Sequence, residues 1–248
     1  MLDLPTMLAI AATFALAGLV KGVIGLGLPT VSLGLLTAVI GLPQAMALLL
    51  APSFVTNLWQ ALAGGNVSAI VRRTWPFLVM ATVTVWVGAL ALTRVDVALL
   101  SALLGLLLVG YALVNLLGIR VALPLAHEGW VGPVAGVANG VLTGMTGSFV
   151  VPGVMFLQAI GLPRDMLVQA MGMLFTLSTL ALALALGGNG LLTAQAGGLS
   201  LAAVVPAVIG MVVGQGIRHR LSEQGFRRVF FVSLLALGFY ILVKAFAP

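Results

Sequence analysis

The stretch "KGVIGLGLPT", residues 21–30, places a charged lysine beside three glycines and a proline. It interrupts a long apolar segment, residues 6–40. Glycine weakens a helix and proline removes a backbone donor, so a helix is expected to break here. Pro29 suits the first turn of a new helix, where its missing N–H costs nothing. The stretch therefore predicts two helices joined by a tight turn, with Lys21 at the end of the first.

The composition is that of an integral membrane protein. Of the 248 residues, 62% are hydrophobic and only 6% are charged, whereas soluble domains carry about 25% charged residues. The net charge of +6 does not point to nucleic acid, because the arginines lie between apolar runs, as membrane orientation requires. We expect a multi-pass protein of the inner (plasma) membrane, with the lipid bilayer as a partner.

Charged residues divide the chain into apolar runs of about one helical span each. Six ordinary helices are predicted, at residues 43–63, 74–93, 97–118, 166–186, 197–217 and 229–246. Two segments, 6–40 and 130–161, are too long for one helix, and glycines break each in the middle. The second break is "TGMTGSFVVP", residues 143–152.

The order of motifs is repeated along the chain. Each break contains GxxG followed by proline, then "GLP", an apolar span, a Gly-Gly pair and a span with a proline. We predict one membrane domain made of two repeats, residues 1–122 and 123–248.

Charge distinguishes two topologies. If each broken segment crosses once, the basic residues other than Lys21 divide 4 against 6. If each is a hairpin that returns to the side it entered, they divide 8 against 2, as the positive-inside rule expects. We therefore favour an all-α fold with two inverted repeats, each a glycine-broken hairpin plus three transmembrane helices, a plan found in secondary transporters. Both chain ends then lie outside the cytoplasm, and whether the broken segments are re-entrant or span fully stays open.

The two breaks are the candidate binding site. Non-helical backbone is tolerated at membrane depth only beside protein or a watery cavity, and a helix N-terminus with free amides favours an anion. Lys21 adds a full positive charge, and hydroxyls accompany both breaks. We predict a small anion bound between the two tips near the bilayer midplane. The predicted substrate-binding residues are Lys21, Gly22, Gly25, Gly27, Thr30, Asn57, Gly144, Thr146, Gly147 and Ser148.

Structural alternatives exist for these residues. Lys21 could extend to a membrane interface, and the clustered glycines could be close-packing positions between helices. Packing is the better account for Gly34, Gly88, Gly105 and Gly172. Asn57, with Ser53 and Thr56, could simply hydrogen-bond a neighbouring helix.

Several functions lack the residues they need. The five acidic residues lie near span ends or in connectors, so nothing resembles a proton relay or a cation site. The chain has no cysteine and two scattered histidines, which leaves no metal site. Without a Walker A motif or a nucleophile–base pair, we expect neither an enzyme nor a cofactor.

In its order of motifs the chain resembles the TauE/SafE family of sulfite and organosulfonate exporters. The resemblance rests on "GxxGxGxP" in the first break, "GxxG…P" in the second, and the "GLP" and Gly-Gly motifs after each. It implies secondary transport, in the export direction, of sulfite, sulfonate or sulfoacetate. The chain departs from the family pattern at Leu26 and Leu28, and its second break is poorer in glycine.

Three other functions remain open. The chain could carry another small carboxylate or an inorganic anion, or it could be a non-transporting membrane subunit. An intramembrane enzyme acting on lipid phosphate would need a mid-membrane acid or histidine, which the sequence lacks. A homo-oligomer also stays open.

Overall fold

The computed structural model describes residues 3–119, 121–220 and 222–247, and within these ranges it contains helices and no strand. Short 3-10 segments follow two helices, at Leu90–Thr93 and Arg218–Arg220. The α-helices of the described residues are α1 (Leu4–Ile24), α2 (Leu28–Ile40), α3 (Leu42–Leu62), α4 (Val67–Val83), α5 (Val85–Ala89), α6 (Val97–Leu116), α7 (Leu125–Thr146), α8 (Gly153–Ala159), α9 (Arg164–Gly188), α10 (Ala194–Ile217) and α11 (Glu223–Phe246).

The predicted helices are present, and several begin earlier than predicted. Helix α4 begins at Val67 instead of residue 74, and α11 begins at Glu223 instead of 229. The charged residues at the start of an apolar run lie within the first turns of the helix, because the helical backbone extends beyond the apolar run. The prediction missed the interruption at Thr84, whose hydroxyl lies 2.7 Å from the Met80 carbonyl oxygen and 3.2 Å from that of Val137.

Seven helical stretches of the described chain are long and apolar enough to cross a membrane. They are α1 and the six ordinary helices predicted from the sequence. The outward face of α10 is apolar: Leu201, Val205 and Ile209 are 67%, 61% and 58% exposed. Such a face suits lipid, so the protein is a multi-pass membrane protein.

The chain forms two compact units, and each contains segments from both halves of the sequence. Unit 1 comprises Met1–Pro52, Val97–Gly118 and Thr193–Pro248. Unit 2 comprises Ser53–Asp96 and Ile119–Leu192. The compact units are therefore not the predicted repeats, whose boundary at residues 122 and 123 stays a prediction.

In unit 1, small residues bring α1 and α10 into backbone contact. A side chain at Gly18 would collide with the Ala207 carbonyl oxygen, and one at Gly22 with that of Met211. Gly214 of α10 lies against Gly22 in return. The order of these contacts shows that the two helices run in the same direction. Glycines at four-residue spacing allow this close approach.

Helix α2 packs along α11 in the same unit. Gly27 lies against Phe230 and Gly34 against Leu237, so α2 and α11 also run in the same direction. At the end of the pair the Lys244 ammonium donates to the Ala38 carbonyl oxygen at 2.7 Å. This places a cation at the negative end of the α2 dipole.

In unit 2, α7 packs on α4 and α5 through a row of glycines. Gly136 faces Phe77, Gly140 faces Ala81, and Gly144 faces the Val85 carbonyl oxygen, so these helices run in parallel too. The predicted packing roles agree with the structure. Gly88, Gly105 and Gly172 approach the backbone of a neighbouring helix too closely to hold a larger side chain, and Gly34 lies against the Leu237 side chain.

Candidate functional site: the two glycine breaks

The first break is a turn closed by a left-handed glycine. Helix α1 ends at Ile24, and Gly25 follows with φ of 80°, a region that costs glycine little. The Gly25 N–H donates to the Lys21 carbonyl oxygen at 2.7 Å, which ends the helix with a satisfied carbonyl. Gly27, with φ of 111°, then leads into α2.

Lys21 is enclosed by protein. Its side chain is 4% exposed, although it lies in the last turn of α1. A lysine extending to a membrane interface would keep its ammonium exposed, so the burial favours the binding interpretation over that alternative. The C-terminal turn of α1 offers partial negative charge, which offsets part of the cost of burying the cation.

The start of α2, which follows this turn, presents backbone donors. The N–H groups of Leu28 and Thr30 lie in the first turn of α2, where a helix leaves its backbone donors without an intrahelical acceptor. The Ser32 hydroxyl, in contrast, donates to the Leu28 carbonyl oxygen at 2.7 Å. Leu28 and Thr30 are buried. A helix N-terminus with unsatisfied, buried donors is suited to an anion.

Gly22 has a packing role that accounts for its identity. Its α-carbon lies against Met211 and Gly214 of α10, where no side chain fits. The sequence offered close packing as the alternative for this glycine, and the geometry favours it. Gly25 and Gly27 differ from Gly22, because their positive φ values shape the turn itself.

The second break has the same local geometry as the first. Helix α7 ends at Thr146, and Gly147 follows with φ of 73°. The Gly147 N–H donates to the Thr143 carbonyl oxygen at 2.7 Å. Gly144 packs on α5 in the way that Gly22 packs on α10.

The hydroxyls of the second break bind backbone within the break. Thr143 Oγ1 donates to the Ser148 carbonyl oxygen at 3.0 Å, and Thr146 Oγ1 donates to that of Leu142 at 2.7 Å. The Ser148 N–H in turn donates to Thr146 Oγ1 at 3.2 Å. Since a hydroxyl has one proton, neither threonine side chain can donate to an anion in this conformation.

Sequence reasoning missed Asn139, which anchors the far end of the second break. Its side chain is fully buried, and its Oδ1 accepts the Gly153 N–H at 2.9 Å. The signal was available in the sequence, because Asn139 is an amide in the apolar stretch "GVANGV", and polar residues inside a membrane span are often functional.

The buried polar residues of α3 form two groups: Gln60, which bonds to α9, and an earlier group of Ser53, Thr56 and Asn57. Gln60 donates to the Val168 carbonyl oxygen at 2.6 Å, and Gln169 donates to that of Ala61 at 2.8 Å. These two glutamines join α3 to α9, as polar side chains between membrane helices often do. Ser53, Thr56 and Asn57 are fully buried one to two turns earlier on α3.

Residues 10–241 match the family model described as sulfite exporter TauE/SafE. The chain belongs to the TauE/SafE family. The match covers both breaks and all the helices between them, so the resemblance inferred from the glycine motifs is confirmed. No curated protein and no solved structure gives a significant match. The TauE/SafE family is one of membrane transporters, so this chain is a sulfite exporter-like membrane transporter.

Proposed function

We propose that this protein exports a small sulfur-containing oxyanion, such as sulfite, sulfonate or sulfoacetate, across the cell membrane. The observation that carries the proposal is the enclosed cation Lys21 at the end of α1, followed after a tight turn by the buried first turn of α2 with Leu28 and Thr30. Family membership supports the sulfur chemistry.

The chemistry of the first break fits a compact, strongly accepting anion. A lysine ammonium supplies three donors and a point charge, and backbone N–H groups supply further donors without side-chain entropy. Sulfite and sulfonate carry three oxygen acceptors around one centre, so cation and amides can each contact an oxygen. The proposed ligands at this break are Lys21 and the backbone N–H groups of Gly27 and Thr30. Gly25, whose N–H donates to the Lys21 carbonyl oxygen, shapes the turn, and Gly22 acts through packing.

Both breaks act as hairpins in this proposal. For the second, Gly153 lies beside Asn139, and the Leu123 N–H donates to the Ala159 carbonyl oxygen at 2.8 Å. The end of α8 therefore lies next to the residues that precede α7, which supports a chain that returns to the side it entered.

Helix directions support the same interpretation for the first break. Helix α1 runs parallel to α10 and α2 runs parallel to α11. Both α10 and α11 are candidate spans separated by a short connector, so they cross in opposite directions. It follows that α1 and α2 run in opposite directions, as the arms of a hairpin must.

Purified protein reconstituted in liposomes tests the proposal. We expect sulfite and sulfoacetate to raise the unfolding temperature and to be transported, with phosphate and chloride as comparison anions. Stabilisation and flux with acetate but not with any sulfur oxyanion would instead support a carboxylate carrier. Absence of flux for every anion would support a non-transporting subunit and would refute the proposal.

A further inference from the structure

In the described part of the chain, only one of the two polar atoms of the Asn139 carboxamide forms a hydrogen bond. Its Oδ1 accepts from the Gly153 N–H, and this bond fixes the orientation of the amide, because an NH2 group facing a donor would be repelled. The Nδ2 atom is buried and has no hydrogen-bond partner in the described part of the chain. An unsatisfied buried donor is costly and rare, so it needs an explanation.

We propose that Asn139 and Ser178 form an uncharged oxyanion-binding site at the second break, which the transported sulfur oxyanion occupies. This inference rests on the proposed function and adds ligands that neither the glycine motifs nor the lysine indicates. The donors are Asn139 Nδ2, Ser178 Oγ and the backbone N–H groups of Phe149 and Val150.

The backbone of the break contributes because it is buried and not helical. Phe149 is fully buried and Val150 is 4% exposed. No acceptor is found for either N–H group in the ranges that the structure describes. Val150 precedes Gly153 by three residues, so the chain keeps it within about 11 Å of Gly153, whose N–H donates to the Asn139 carboxamide.

Ser178 joins this group through α9. The Leu174 side chain and the Asn139 carboxamide both lie against the α-carbon of Gly153. Ser178 is one turn further along α9, on the same face as Leu174. Its hydroxyl is fully buried, and among described residues it has no partner. The Phe149 ring, 6.0 Å from the Phe175 ring between centroids, holds the break against the same helix.

The chemistry of this site differs from that of the first break. The residues named for it are donors without a full charge, and the charged residues of α7 and α9, Glu128, Arg164 and Asp165, lie in the first turns of those helices. Neutral donors bind an ionised sulfonate without a positive side chain that would lose its ion partner when the sulfonate leaves. The site therefore suits a transporter, in which a substrate must leave as readily as it enters.

Labelling of a single cysteine tests whether the anion occupies this site. Ser178→Cys is nearly isosteric with the wild-type side chain. Because the wild-type chain has no cysteine, this substitution introduces a single thiol. We expect methanesulfonate, which unlike sulfite does not react with alkylating reagents, to slow alkylation of this thiol at least fivefold in a saturable way. Ser101→Cys on α6, in unit 1, is the control whose alkylation should not change.

A second variant measures affinity. Asn139→Leu keeps the approximate volume and removes the Nδ2 donor together with the acceptor of the Gly153 N–H, and we expect it to weaken binding roughly tenfold or more, about 1.4 kcal/mol. If the anion does not slow alkylation of Ser178→Cys, the inference is wrong while the proposed function stands. The same holds if a folded Asn139→Leu variant keeps wild-type affinity. If Asn139→Leu does not fold, the Ser178→Cys result decides. If the wild-type protein binds neither methanesulfonate nor sulfite, the proposed function fails as well.

Discussion

Lys21 and Thr143 occupy the same position in two helix ends. Each carbonyl oxygen accepts the N–H of a left-handed glycine four residues later at 2.7 Å, Gly25 in one case and Gly147 in the other. Their side chains act differently: Thr143 donates to the Ser148 carbonyl oxygen and closes its own turn, whereas Lys21 places a buried charge at the turn. One backbone geometry thus supports a charged break and a neutral one.

Loss of the Lys21 charge should abolish anion-dependent stabilisation. Lys21→Met keeps the apolar stem and removes the ammonium, while the rest of α1 can still pack on α10. A ligand at a hundred times its dissociation constant stabilises wild-type protein by about 2.7 kcal/mol, and most of this gain should disappear. Thermal unfolding with and without sulfite measures it.

The other lysine provides the control. Lys244→Met removes the hydrogen bond to the Ala38 carbonyl oxygen but leaves the first break intact. It should therefore retain the sulfite response. Equal sulfite responses in the two variants would show that Lys21 is not a ligand.

A methyl group at Gly22 should destabilise the protein. A Cβ there would collide with backbone atoms of Met211 and Gln215, which cannot rotate away. Gly22→Ala should lower the free energy of unfolding by about 1–3 kcal/mol. Gly216→Ala on α10 is the matched control, because its Cβ meets nothing within 4 Å. It should be neutral or slightly stabilising; equal losses in both variants would contradict the close contact.

The Arg73–Glu128 pair should be weaker than the bond between Arg73 and the backbone. The ion pair is bidentate but partly exposed, with 33% and 11% of the two side chains accessible, so a coupling of about 1 kcal/mol is expected. Arg73 also donates to the Ile160 carbonyl oxygen at 2.7 Å. In a double-mutant cycle, Arg73→Met should therefore cost more than Glu128→Gln. The reverse order would assign the stabilisation to the ion pair.

The proposed topology places the connector between α10 and α11 in the cytoplasm. Single cysteines at Ser222 and Ala247 test it, because the positive-inside rule puts the first inside and the second outside. On intact cells, a membrane-impermeant thiol reagent should label Ala247→Cys and spare Ser222→Cys. Labelling of Ser222→Cys from outside would refute this orientation.

Membrane voltage should drive export directly. No carboxylate is available inside the apolar spans to couple a proton or a cation. An anion leaving a cell that is negative inside gains about 2.3 kcal/mol per charge per 100 mV. One charge could therefore sustain roughly a 40-fold outward gradient. Flux of an ionised sulfonate into or out of liposomes should follow a potassium-diffusion potential; dependence on a proton or sodium gradient alone would contradict this.

The helices and breaks could be predicted because they depend on local sequence. Apolar runs bounded by charges located the six ordinary spans, and glycine with proline located the ends of α1 and α7. The start of α11 was misplaced since Arg227 and Arg228 belong to the helix, although they end the apolar run.

The roles of individual polar side chains could not be predicted in the same way. Whether the Thr146 hydroxyl faces a ligand or the Leu142 carbonyl oxygen depends on the final backbone path. The role of Asn139 depends on Gly153 returning alongside it, a contact between residues far apart on the two arms of the break. The division into two units also depends on long-range packing, which no local pattern encodes.

The mixed make-up of unit 1 has a consequence for synthesis. Helix α1 finds its packing partner α10 about 190 residues later in the chain, roughly 10–40 s at common translation rates. Unit 2 needs no segment beyond Leu192, so it is complete before unit 1 can close. During this interval α1, with Lys21 in its last turn, lacks the helix against which it later packs, and the nascent chain must keep α1 near the insertion machinery or another membrane protein.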